Sequence, residues 1–68
     1  MKIRKFKFEE DVFSEGRYFY ADTVYDAHYE ILNGKVNVVL FAENGVFDIA
    51  PELFEKLIVS WRMKEVAE

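Results

Sequence analysis

The chain has a single histidine, His28, and it stands at even positions in a row with Asp22, Asp26 and Glu30. On an extended strand, residues two apart share a face and lie ~6.6 Å apart. Imidazole and carboxylate side chains in such a row could relay protons or ligate a metal. A metal needs three or four converging ligands. The strand register argued below sets Val39 opposite His28 and Phe41 opposite Asp26, so nothing converges and no metal or cofactor is expected. The same spacing is similar to that of phosphates along a nucleic acid, so an acidic row could also mimic a phosphate backbone. Apolar neighbours interrupt it, and a solvated strand face is the plainer reading.

Other chemistry is missing. There is no Cys, and Ser14 and Ser60 have one histidine between them. Neither serine sits in a nucleophile-elbow context. Gly16, Gly34 and Gly45 are isolated rather than grouped into a phosphate-cradling loop. The expectation is that the protein is not an enzyme.

Cations are concentrated at one end. Lys2, Arg4, Lys5 and Lys7 open the chain, and Arg17 precedes Tyr18 and Tyr20. Single-strand nucleic-acid binders pair a positive groove with aromatic faces on which bases stack. These residues are therefore the candidates for nucleic-acid binding, an alternative to the reading adopted below. The net charge of −4 weighs against it.

Two Asn-Gly pairs organise the elements that must position these side chains. Asn-Gly tolerates the two positive φ angles of a type I′ turn. A turn at Asn33-Gly34 pairs Leu32 with Lys35, Ile31 with Val36, Tyr29 with Val38, Ala27 with Leu40 and Tyr25 with Ala42. Most of that face is apolar, so turn register and hydrophobic alternation agree. A turn at Asn44-Gly45 would pair Glu43 with Val46, Ala42 with Phe47 and Leu40 with Ile49. Three strands of an antiparallel meander follow, roughly 17–32, 35–43 and 46–50. The first is long enough to require a bend near Asp22-Thr23. Residues 2–8 form a further strand, with Phe6 and Phe8 inward, and its lysines suit a sheet edge. Residues 9–16 are its return loop.

Pro51 opens a helix, since a first-turn proline loses no hydrogen bond. Leu53, Phe54, Leu57, Ile58 and Trp61 form one helical stripe for the sheet. Val59, Met63 and Val66 form a second. In a long helix Arg62 and Lys64 favour its C-terminal dipole. The alternative is a short helix over 51–57 and a strand over 58–65 that closes a small SH3-like barrel. The predicted fold is thus α+β in one domain, 1–68: a curled antiparallel meander of about four strands with one C-terminal helix.

Composition adds a surplus. Of 68 residues, seven are Phe, four Tyr and one Trp. A chain this short has few staples without cysteine. Tyr18, Tyr20, Val39 and Phe41 lie on the face that one helix leaves uncovered, and Val59 and Met63 lie on the second stripe. These six are the candidate partner-binding residues, and exposed apolar patches usually mark interaction sites. The expected function is a non-catalytic protein-interaction module, self-associating as a homodimer, in an accessory, regulatory or inhibitory role. No apolar stretch approaches a membrane span, and the basic start lacks the apolar core of a signal peptide. A cytoplasmic place is expected. In type, though in no motif or residue, the chain is similar to small bacterial and bacteriophage accessory proteins, some of which bind and inhibit a partner.

Overall fold

The structure is a computed structural model that describes residues 2–67. In chain order it has strands β1 (Lys2–Phe8), β2 (Val12–Ser14), β3 (Arg17–Phe19), β4 (Val24–Leu32), β5 (Lys35–Ala42) and β6 (Gly45–Ile49), helix α1 (Pro51–Ser60) and strand β7 (Met63–Glu65). Five strands form an antiparallel sheet in the order β6-β5-β4-β1-β7, and β2 pairs with β3 alone. The α+β class read from the sequence is the one observed.

The first Asn-Gly turn forms as its residues dictate. Asn33 has φ 52° and Gly34 φ 75°, the left-handed pair of a type I′ turn. Leu32 faces Lys35, Ile31 faces Val36 and Ala27 faces Leu40, which is the register the sequence predicts.

The second turn differs. Ala42 pairs with Gly45, Leu40 with Phe47 and Val38 with Ile49. The loop is Glu43-Asn44, one residue earlier than Asn44-Gly45, so each pairing across the ladder shifts by two. A slip of two keeps every side chain on its face, so the core assignment survives the error. The cause is that Asn44 is occupied elsewhere. Its Nδ2 donates to the Gly16 carbonyl at 2.8 Å, and its Oδ1 accepts from the Tyr18 N–H at 3.2 Å. Gly45 in turn lets the Arg17 guanidinium lie across it, where any Cβ would collide with Arg17 Nε and Cζ.

The long first strand is also divided. Asp22 has φ 60°, which turns the chain near the expected bend, and the Asp22 N–H donates to the Phe8 carbonyl at 3.1 Å. Arg17–Phe19 then belongs to a separate hairpin with Val12–Ser14, turned at Glu15 (φ 48°) and Gly16 (φ 76°). The expected return loop is thus half of a hairpin.

Met63–Glu65 takes the edge predicted for the basic strand. It pairs with Phe6–Phe8, so β1 is an interior strand between β4 and β7. The helix is shorter than its double stripe suggests. Trp61 caps it by donating to the Leu57 carbonyl at 2.8 Å, and Arg62 takes φ 54°, the left-handed position that glycine usually fills. Arg62 and Lys64 therefore lie beyond the helix and not in its last turn. A short helix with a strand behind it is the alternative's arrangement, with the boundaries at Ser60 and Met63. The sheet stays open, because β6 and β7 are its two edges.

One face of the sheet carries the core. Phe6, Phe8, Ala27, Val38 and Leu40 point inward and are buried, as are Phe54 from the helix and Phe19 from the small hairpin. Phe19 stacks on Phe8 at 4.7 Å and meets Tyr25 edge-on at 5.0 Å. Helix, Trp61 and hairpin together roof the inner face. Among the described residues nothing roofs the outer face.

Candidate functional site

The outer face is built by alternation. With Phe6 and Phe8 inward, Ile3, Lys5 and Lys7 face out from β1. By register they stand opposite His28, Asp26 and Val24 of β4. His28 stands opposite Val39, which stands opposite Asp48. Phe41 stands opposite Val46. Phe41 is 38% exposed, Val24, Val46 and Ile3 are exposed, and Val39 is half-buried. The His28 ring meets Phe41 edge-on, centroids 4.7 Å apart. An apolar band thus runs obliquely from Ile3 through Val39 to Phe41 and Val46.

Charge on this face is sorted to either side of the band. Lys7 on β1 stands directly opposite Lys64 on β7, a like-charge cross-strand pair that is unfavourable by itself. Glu9 lies 3.4 Å from Lys64. On the other side, Glu30 is opposite Asn37, and Asp48 accepts from Asn37 Nδ2 at 3.2 Å. Between the two corners Lys5 pairs with Asp26 at 2.9 Å. One corner holds Lys7 and Lys64 with Glu9 beside them, and the opposite corner holds Glu30 and Asp48.

The second surface is the β2–β3 hairpin. Phe13 is 74% exposed and Tyr20 49%. Phe13 and Tyr18 are cross-strand partners with nearly parallel rings, 6.2 Å between centroids, and Tyr18 meets Tyr20 at 5.5 Å. Asp11, Val12, Phe13, Tyr18, Phe19 and Tyr20 line an open cleft of about 290 Å³. The hairpin is fixed to the sheet by polar contacts. The Tyr18 carbonyl accepts from the Glu43 N–H at 3.1 Å, and Arg17 Nε donates to the Val46 carbonyl at 3.3 Å. Tyr25 connects the two, since its hydroxyl accepts from the Tyr20 N–H at 2.6 Å and donates to Glu43 at 2.8 Å. Its phenol is pushed up, first by burial and then by the Glu43 carboxylate. Asp11 Oδ1 holds the Ala21 N–H at 2.7 Å.

The six candidate partner residues therefore fall in four places. Tyr18 and Tyr20 are on the hairpin, while Val39 and Phe41 are on the outer face. Val59, 79% exposed, stands alone on the helix. Met63 is a correction: at 6% exposure it is a core residue, inward on β7 opposite Phe8. It leaves the helical stripe because the helix stops before it. The sequence reading missed Phe13, which it placed in a loop. Glu15-Gly16, flanked by alternating apolar residues, was the available signal for that hairpin.

The basic residues are dispersed. Lys5 and Lys7 face out, whereas Arg4 points inward. Arg4 donates to Glu65 through Nε and Nη2 (3.0 and 2.7 Å), to Glu55 (3.0 Å) and to the Tyr29 hydroxyl (2.8 Å). Lys2 lies over the Tyr29 ring at 5.7 Å, and Arg17 is laid across Gly45. No common groove collects Lys2, Arg4, Lys5, Lys7 and Arg17. In the carboxylate row, Asp26 binds Lys5 and lies 3.9 Å from His28, and Asp22 is off the strand. Among the described residues no three metal-ligating side chains cluster, and no described helix is long and apolar enough to cross a membrane.

No protein-family model, no curated protein and no solved structure matches this chain.

Proposed function

We propose that the protein is a non-catalytic interaction module that associates with a second copy of itself through the outer face of its five-stranded sheet. The observation that carries this reading is the charge layout around the apolar band. In a two-fold dimer the same patch serves both partners. A two-fold axis along the oblique Ile3–Val46 band lays each band on the other. It exchanges the corners, bringing Lys7 and Lys64 of one copy to Glu30 and Asp48 of the other. The layout is thus self-complementary, and the Lys7–Lys64 pair, which has Glu9 beside it within the chain, gains further counter-charges in both halves. Phe41 and Val39 are the anchors, as buried aromatic and aliphatic groups at an interface centre are the ones that cost most on truncation.

Cysteine absence suits a reducing compartment, and with it goes the cytoplasmic setting of a regulatory or inhibitory accessory protein. Single-strand nucleic-acid binding has no groove to support it.

Charge reversal tests the reading. Lys7→Glu alone and Asp48→Lys alone should each weaken the dimer, since each sets like charges face to face twice. An equimolar mixture of the two variants should associate more strongly than either alone. If the mixture associates no better than the single variants, the proposed pairing is wrong.

A further inference from the structure

The hairpin points to a different partner. We propose that the Phe13–Tyr18–Tyr20 cleft is a docking site for a basic protein segment that lays Arg or Lys side chains on the three rings. The site is separate from the dimer face, because Phe19 of the same hairpin packs into the inner core against Phe8, Phe47 and Trp61.

Two independent observations meet there. The first is the ring cluster. Phe13 is among the most exposed large apolar side chains of the molecule, and it borders an apolar cleft whose volume is close to the ~300 Å³ floor for ligand sites. The second is charge. Within the ring-bearing segment lie Glu9, Glu10, Asp11, Glu15 and Asp22. Asp11 lines the cleft, while Glu9 lies on Lys64. Glu43 stands beside the hairpin, with its N–H on the Tyr18 carbonyl and its carboxylate on the Tyr25 hydroxyl. The one cation of the segment 9–22, Arg17, is held on the Val46 carbonyl. Tyr20 lines the same cleft, and its phenol is pushed up, first by burial and then by Tyr18, Glu43 and Asp11. Aromatic faces in a negative field attract cations, and guanidinium groups most often.

The spread of carboxylates selects a protein segment over a small amine. A single ammonium would meet Asp11 and the rings and leave the others unmatched. A chain carrying several cations can satisfy the cleft and its acidic surround together.

A capped hexa-arginine peptide tests the site by NMR titration of the full chain. Expected are shift changes centred on 11–20 and on Glu43. The double variant Phe13→Ala, Tyr20→Ala should bind about tenfold more weakly, the size of lost cation–π contacts. Both side chains are exposed, so the fold should be retained. Asp11→Asn keeps an oxygen for the Ala21 N–H and loses only charge; it should bind severalfold more weakly. Phe41→Glu, which targets the dimer face, should bind the peptide as the natural chain does. Failure of the dimer reading and failure of this one are thereby separate results. Shift changes centred on Glu30 and Asp48, undiminished binding by the double variant, or spermine binding as tightly as the peptide would overturn the proposal. So would a change of solution mass in the double variant.

Discussion

Arg4 connects three elements with one guanidinium. It forms a two-bonded pair with Glu65 of β7, reaches Glu55 of α1 and donates to Tyr29 of β4. Planar two-bonded geometry is what arginine offers and lysine lacks. Arg4→Ala should cost roughly 1–2 kcal/mol in chemical denaturation, below the full value of charged hydrogen bonds because Glu55 and Glu65 stand half in water. Arg4→Lys should recover only part of that loss. The same pair has a pH signature. Hydrogen bonding from Arg4 is the main cause that holds the Glu65 carboxyl below its ordinary value of 4.5. A carboxylate lowered on folding stabilises fully above its unfolded pKa, and the contribution drains away as pH falls through the folded one. Stability and β7 amide protection should therefore hold above pH ~5 and decline below it. Glu65→Gln should flatten the decline; an unchanged slope would remove Glu65 from the account. Little of this was legible in the sequence. Arg4 reads there as one of a basic run. Alternation with Phe6 and Phe8 puts it on the inner face, but its pairing with Glu65 follows only once β7 occupies the edge beside it.

Elements were legible where local chemistry decides alone. Asn33-Gly34 fixed β4 against β5 because both turn residues adopt positive φ without a competing contact. Asn44-Gly45 did not, because Asn44 spends its amide on Gly16 and Tyr18 of the hairpin, and a tertiary contact overrode a turn preference. Asn44→Ala should therefore loosen the hairpin rather than the turn. A cost of about 1 kcal/mol is expected for the lost hydrogen bonds, with faster amide exchange in 12–19 and little change in 35–49. Exchange that rises equally in β5 and β6 would make Asn44 a turn residue after all. The C-terminal region was ambiguous for a related reason. Val59, Met63 and Val66 satisfy a helical period, while Met63 and Glu65 satisfy a strand period. No glycine marks the stop, since Arg62 takes the left-handed position itself. Pairing with Phe6–Phe8 decides between them, and no local signal reports that pairing.

At the scale of the whole molecule the inner face is closed and the outer face is not. A helix and a hairpin roof one side of the sheet, and the apolar band with its sorted charges lies on the other. Binary alternation in β4 and β5 made that second face readable, including Val39 and Phe41. The charge layout was not readable, because it needs β7 beside β1 and β6 beside β5 in the observed register. Sedimentation equilibrium across a wide concentration range is the direct test of self-association through the outer face. The natural chain should approach twice its 8.1 kDa mass. Phe41→Glu, at a position already partly in water, should run as a folded monomer with unchanged far-UV dichroism. A natural chain that stays at monomer mass at every concentration, or a Phe41→Glu variant that dimerises as well as the natural chain, would contradict the account.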